Sequence, residues 1–298
     1  MLKITLILMS SSKEQFHSLH PREYANFTYA YPVLSRRSGG ISIGVNLNQD
    51  KICNFDCPYC QVDRTAPGKK QVIDLARIRE EVEALLNSVD ENGVCHLPMF
   101  DSVPDADKKI RDVALSGDGE PTMVPEFAEV CALLHELQIA HSEKDFKLVL
   151  ITNATLLDRP KVQVGIEALL RGHGEVWAKL DAGTEAWYQK VNVSRVSLDR
   201  IEANITALGK TCPLKIQSFF CRFANEDGGW NGEEVEAYLQ RLRRIRDSGA
   251  RILEVQLYTL ARRPSDSRIL AVDTSFLEGM RQRIETLGIP ARVYGSGD

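Results

Sequence analysis

The sequence predicts an α/β fold, a partial, open (βα)6-type barrel of parallel strands with an N-terminal extension. Three observations lead there. From about residue 41, short segments rich in β-branched, aromatic and leucine residues alternate with segments of helical apolar spacing. The repeated strand-then-helix order makes the strands parallel, because each crossover returns the chain in the same direction. Six or seven such units fall short of a closed eight-unit barrel.

Residues 1–40 lie outside this rhythm, and their Tyr, Phe and Pro content predicts an extension packed on a barrel domain of residues 41–298. The opening MLKITLILMSSS holds too brief an apolar run, with no small-x-small site after it, to be expected as a signal peptide. No stretch approaches the ~20 apolar residues of a membrane span. Strands are expected at Ile41–Asn48, Asp112–Ser116, Lys147–Thr152, Glu175–Asp181, Leu214–Phe223, Ile252–Thr259 and Ala291–Tyr294. The first helix is marked by Leu75, Ile78, Val82 and Leu85, with Asp74 as its cap. The second is marked by Phe127, Val130, Leu133 and Leu134, with Pro125 near its start. Pro160–Leu170, Leu198–Leu208, Glu233–Arg246 and Ser275–Leu287 supply the rest, the last stopped by Gly288 and Pro290. Residues 88–110 read as a polar insertion.

With 43% hydrophobic and 26% charged residues in 298, the chain can bury a core without disulfides and is not a disordered segment. A net charge of −4 gives no global attraction to nucleic acid. The seven cysteines are an odd number with three packed into residues 53–60, which does not match a secreted disulfide framework. A reducing, cytoplasmic setting is expected, with Cys95, Cys131, Cys212 and Cys221 as inert thiols.

Directly after the first expected strand runs Lys51-Ile-Cys-Asn-Phe-Asp-Cys-Pro-Tyr-Cys60. Three thiols at this spacing, on a loop at a strand's carboxyl end, can converge on one metal centre, and thiolates suit iron–sulfur clusters or zinc. Structural zinc wants four ligands, and the nearest further candidates are His17, His20, Cys95 and His96. Three protein ligands on a cluster leave one iron open. The pattern Cys53, Cys57, Tyr59, Cys60 resembles that of radical S-adenosylmethionine enzymes. The resemblance implies one 4Fe–4S cluster on Cys53, Cys57 and Cys60. The methionine end of S-adenosylmethionine would chelate the fourth iron, and Tyr59 would lie against the adenine region.

The next expected strand ends in Ser116-Gly-Asp-Gly-Glu-Pro-Thr122. Glycines there let a backbone approach a ligand closely. This element resembles the superfamily's Gly-Gly-Glu-Pro turn, with Asp118 as a departure, and implies that Gly117, Gly119 and Glu120 help hold the methionine end. Later strands end in Thr152 and Asn153, Lys179 and Asp181, Gln217, and Gln256 with Tyr258. These resemble the superfamily's cofactor-contact positions, and Asn153 and Asp181 are the two singled out. The phrases around Leu115, Leu150, Lys179 and Val255 are similar to iron–sulfur oxidoreductases related to tRNA wyosine-base synthases. No cysteine precedes Cys53, so the added N-terminal cluster of wyosine-base enzymes is not expected. Lys179 is a candidate for the lysine those enzymes use to capture a keto acid, although a partner for a cofactor carboxylate or for Asp181 is the commoner use of such a residue.

The resemblance implies reductive cleavage of S-adenosylmethionine and hydrogen abstraction by a 5′-deoxyadenosyl radical from an unidentified substrate. The electron donor would be a flavodoxin or ferredoxin. A tRNA base is the first substrate class, a small metabolite or peptide the second, and a non-catalytic zinc scaffold the rival from another class. For RNA, Arg241, Arg243, Arg244 and Arg246 share one helix, with Arg251, Arg262 and Arg263 beyond it. Glu233, Glu234 and Glu236 on the same helix favour a solvated, salt-bridged face. Arg262 and Arg263, after the sixth strand, are expected near the barrel mouth.

Overall fold

The computed structural model describes residues 24–66, 68–69, 72–224, 229–261 and 264–295. Arg262, Arg263, His17, His20 and the first part of the expected extension lie outside the described residues.

The chain forms β1 (Ala30–Ser35), β2 (Gly40–Val45), α1 (Leu75–Leu86), β3 (Ile110–Leu115), α2 (Phe127–Ala140), β4 (Lys147–Thr152), α3 (Pro160–Leu170) and β5 (Gly174–Lys179). It continues through α4 (Glu185–Val191), α5 (Leu198–Thr211), β6 (Leu214–Phe219), β7 (Cys221–Phe223), α6 (Gly232–Asp247), β8 (Ile252–Tyr258), β9 (Ile269–Ala271), α7 (Thr274–Glu285) and β10 (Ala291–Tyr294). Eight strands make one sheet in the order β1-β2-β3-β4-β5-β6-β8-β10, and β7 and β9 pair separately. All neighbours from β2 onward are parallel, and β1 is antiparallel to β2. The sheet curls into an open half-barrel with helices on its outer face, as the alternation predicts.

β1 is a strand that the periodicity does not flag, inside the expected extension. Its entry is fixed by Glu81 of α1, whose carboxylate accepts from the backbone N–H groups of Thr28 (2.6 Å), Tyr29 (2.7 Å) and Ala30 (3.0 Å). The expected Leu214–Phe223 strand is two: β6 leaves the sheet after Phe219, and Cys221–Phe223 pairs instead with Ile269–Ala271. Asp74 caps α1 through the Arg77 N–H, as expected. Residues 88–110 are less polar in place than in sequence, because Cys95, Leu97, Phe100 and Val103 are buried.

Residues facing the helices, such as Val45, Leu115, Leu148, Leu150, Val176, Ile216 and Leu257, belong to the main apolar core. The inner face carries Ser42, Asp112, Trp177, Lys179, Gln217 and Tyr258, which line a cavity of about 350 Å³. A parallel sheet covered on both faces reads as continuous apolar runs; here the alternate residues are polar because the inner face meets a cavity rather than a second layer.

Candidate active site

The cysteine loop is held at its centre. Between the first two thiols, Phe55 is buried and packs edge-to-face on Tyr188 with ring centroids 5.7 Å apart. The Asp56 N–H donates to the Asn192 carbonyl at 3.0 Å. Lys51, at φ +60°, turns the chain into the loop, and its ammonium closes the far side on the carbonyls of Asp63 (2.6 Å) and Ala66 (3.1 Å). Cys53, Cys57 and Cys60 form no disulfide, are half-buried, and open onto the same cavity.

Each thiol faces at least one N–H donor. Phe55 N (3.4 Å) and Asn153 Nδ2 (3.8 Å) point at Cys53 Sγ, Asn192 Nδ2 (3.5 Å) at Cys57 Sγ, and Arg64 (3.2 Å) at Cys60 Sγ. Burial pushes the Cys53 thiol up to about 11 and Cys57 to about 12. A metal bound there must therefore displace protons. The donor set fits an iron–sulfur cluster, which takes thiolates and has its potential tuned by hydrogen bonds to sulfur. Among the described residues no group of three or more His, Cys, Asp or Glu side chains is gathered so as to hold a single metal ion. Cys95 and His96 lie outside the cavity lining, the latter paired with Asp90 at 3.0 Å.

The turn after β3 brings Gly117, Gly119 and Glu120 to this cavity. A Cβ on Gly117 would fall 2.3 Å from Asn46 Oδ1, and one on Gly119 would fall 2.0 Å from the Ile52 carbonyl. The glycines thus let the turn lie against the end of β2 and the start of the cysteine loop. Asp118 is held there by Asn46, which donates to its carboxylate (2.7 Å) and accepts from its N–H (3.1 Å). Glu120 is 3% exposed. Its carboxylate accepts from Thr122 Oγ1 (2.6 Å), Thr152 Oγ1 (2.6 Å), Asn153 N (2.8 Å) and Thr122 N (3.3 Å), which ties the ends of β3 and β4 together. Burial pushes its carboxyl above the ordinary value in spite of these donors.

Asn153 follows β4 and donates to Asn54 Oδ1 at 2.6 Å, linking the end of β4 to the cysteine loop. Asp181 sits behind the cavity wall with its side chain fully buried. One oxygen accepts from the Phe219 N–H (2.9 Å); the other accepts from the Tyr59 hydroxyl (2.6 Å) and Asn192 Nδ2 (2.8 Å) and pairs with Lys179 at 3.3 Å. The Tyr59 ring lies on Phe219 with centroids 3.9 Å apart. Burial works against the Lys179 charge, yet Asp181 and Tyr258 hold its ammonium above the ordinary value. Lys179 also donates to the Tyr258 hydroxyl. A lysine so held is protonated, not a free amine.

The structure adds residues that the sequence reading passes over. Asn46, Asn54 and Asn192 connect the motifs, and none carries a pattern of its own. Asn192 caps a seven-residue helix and becomes adjacent to Cys57 and Asp181 only in three dimensions. Gln217 lines the cavity and donates to Gln256 at 2.8 Å, whereas Gln256 does not line it. The α6 arginines are salt-bridged, but to α5 rather than to the glutamates of their own helix: Arg241, which is buried and not solvated, reaches Asp199 (2.8 Å) and Glu202 (2.5 Å), and Arg244 reaches Glu202 (2.7 Å).

Fold and site together define an α/β half-barrel enzyme class with a three-thiol loop at the carboxyl ends of its strands. The Radical SAM superfamily model matches residues 51–217, and the chain belongs to that superfamily of enzymes. A "UPF0026 protein" of Helicobacter pylori is 32% identical over 143 residues, 46% of this chain. The chain spans well under half the length of the curated relatives it matches, 38% for that one. Among solved structures, a radical SAM methyltransferase from Sphaerobacter thermophilus shares the fold at TM-score 0.60 and 14% identity. The match covers 89% of this chain and 68% of that one. TYW1 with a lysine–pyruvate adduct bound matches at TM-score 0.50 and 16% identity, over 84% and 74% of the two chains. No helix among the described residues is long and apolar enough to cross a membrane.

Proposed function

We propose that Cys53, Cys57 and Cys60 hold one 4Fe–4S cluster, and that the chain cleaves S-adenosylmethionine reductively to abstract hydrogen from a substrate in the barrel cavity. The carrying observation is that three thiols, each met by an N–H donor, open onto one cavity with the Gly117–Glu120 turn. Bound there, the cofactors supply one-electron cleavage of S-adenosylmethionine to methionine and a 5′-deoxyadenosyl radical, with the electron drawn from a flavodoxin- or ferredoxin-type donor. The protein's part is placement and exclusion of water.

In this reading Gly117 and Gly119 present the turn's backbone to the methionine end, and Glu120 fixes that turn by linking it to Thr152 and Asn153. Tyr59 and Asn153 flank the cofactor from opposite strand ends. Asp181, being behind the wall, acts by orienting Tyr59, Asn192 and Lys179. A free small molecule and a single base turned out of a tRNA are the two substrate classes this reading carries. Retention of tRNA on the purified protein distinguishes them.

The test is anaerobic reconstitution with iron and sulfide, then reduction with S-adenosylmethionine present and chromatography for 5′-deoxyadenosine. Wild type should bind about four irons with sulfide and release 5′-deoxyadenosine. Cys57→Ala should lose both, while Cys131→Ala, altering a buried thiol in α2, should keep its iron. Zinc in place of iron, or undiminished 5′-deoxyadenosine from Cys57→Ala, would overturn the assignment.

A further inference from the structure

The β1–β2 turn places Arg37 inside the barrel. Its guanidinium carbon lies 5.9 Å from the centre of the Trp177 ring on β5 and 5.4 Å from that of Tyr258 on β8. The residue is half-buried and lines the same cavity as the cysteines. Among the described residues Arg37 has neither a hydrogen-bond acceptor nor an ion pair within 4.0 Å; its contacts are with the two rings. The other cations of the cavity are satisfied. Lys179 pairs with Asp181, and Arg64 is held by Cys60 and by the carbonyls of Lys51 (3.3 Å) and Asp118 (3.2 Å).

The nearby carboxylate, Asp112, does not supply the missing charge. It is 2% exposed and accepts from the hydroxyl of Ser42. Burial pushes its carboxyl up against the pull of that hydroxyl and of the Arg37 charge, and the two side chains form no ion pair within 4.0 Å. The part of the guanidinium that the cavity screens from water carries a desolvation cost unless an acceptor meets it. A planar fork stacked on aromatic rings has its edge directed for bidentate recognition of a carboxylate or phosphate.

We propose that Arg37 is the anchor for an oxyanion group, carboxylate or phosphate, carried by the substrate, with Trp177 and Tyr258 packing on the part of the molecule beside it. Calling this anion the substrate's rests on the radical-enzyme reading above; the presence of an oxyanion site does not. Arg37 lies on the N-terminal hairpin, outside residues 51–217, the part matched by the superfamily model. The neighbouring Arg36 is used differently, donating to the Gly295 carbonyl beyond β10 and so joining the two edges of the open sheet.

Ligand-observed NMR on the reconstituted full chain tests this with benzoate, phenyl phosphate and the neutral isostere benzamide. One charge-assisted bidentate contact should favour an anion over benzamide by about tenfold or more. Arg37→Gln should bring the ratio to within about twofold, and Arg37→Lys, which keeps the charge, should retain part of it. The better of the two anions names the group. Arg36→Gln should lower the melting temperature yet keep the anion preference, which separates closing the barrel from binding. Equal affinity of wild type for benzoate and benzamide, or a preference unchanged in Arg37→Gln, would overturn the proposal. So would loss of S-adenosylmethionine affinity in Arg37→Gln with the benzoate preference intact, because the guanidinium would then serve the cofactor. None of these readouts needs 5′-deoxyadenosine to form, so failure here and failure of the radical-enzyme reading are distinguishable.

Discussion

The mouth and the base of the barrel each take in a glutamate, fully buried at the mouth and half-buried at the base, and they treat it in opposite ways. At the base, Glu175 on β5 pairs with Lys147 (2.5 Å) and Lys215 (2.9 Å) and accepts from the Trp177 indole at 2.8 Å. Burial pushes its carboxyl up, but the two lysines and the indole bring it down to about 2. At the mouth, Glu120 meets hydroxyl and backbone donors without a cation, and burial pushes it the other way. Neutral donors satisfy geometry without offsetting the loss of water around a charge; cations do both. Glu175 is thus held by full charges, while Glu120 is held by dipoles alone.

The largest expected effect tests the mouth. Glu120→Ala leaves the Asn153 N–H and two threonine hydroxyls without their acceptor and should cost about 3 kcal/mol in urea unfolding. It should also lower iron retention, since the Gly117–Glu120 turn packs on the cysteine loop. Stability unchanged within error would show that Glu120 is not the latch.

Glu175→Gln should cost about 2 kcal/mol at neutral pH, because Lys147 and Lys215 lose their counter-charge. The pH dependence sharpens the contrast. A carboxyl lowered on folding stabilises fully above its unfolded value of 4.5, and that contribution fades as pH falls toward about 2. The acid limb of the stability curve should therefore be shallower in Glu175→Gln. Glu120 runs in the opposite sense: its raised carboxyl binds a proton more tightly in the fold, so protonation at that site favours the folded chain. An identical acid limb in wild type and Glu175→Gln would break the comparison.

Asn192→Ala removes donors to Cys57 and Asp181 and should cost about 1–2 kcal/mol. If the cluster assignment holds, the same variant should lower the cluster's reduction potential, because it loses a hydrogen bond to sulfur. An unchanged potential would detach Asn192 from the ligand environment. The smallest effect has the opposite sign. Val193 is β-branched, 44% exposed and at φ +47°, in the turn that holds the cysteine loop through Asp56. Val193→Gly should raise stability by about 0.5–1 kcal/mol through relief of backbone strain. A loss would mean that the valine side chain is itself a needed contact.

The motif residues were legible because their chemistry is local. Cys53, Cys57 and Cys60 sit within eight residues, and the Gly117–Glu120 turn follows directly on an apolar strand. What hydrogen-bonds to them was not. Asn192 is 135 residues from Cys57, and Asn153 is 99 from Asn54, so only folding makes them neighbours. Asp181 was legible as a polar strand end but not as a residue screened by Tyr59, because facing the mouth and lying behind its wall leave the same trace in sequence.

The sequence by itself determined the parallel strand-and-helix alternation, the partial barrel and the thiol loop, since each follows from periodicity or spacing within a few dozen residues. Tertiary structure decided the rest. It added β1 because Glu81, some fifty residues away, holds its entry. It ended β6 at Phe219 because the chain beyond finds a different partner in β9. And it turned Arg37, which no motif marks, inward against two aromatic rings, for a side chain's surroundings are set by which strands close around it.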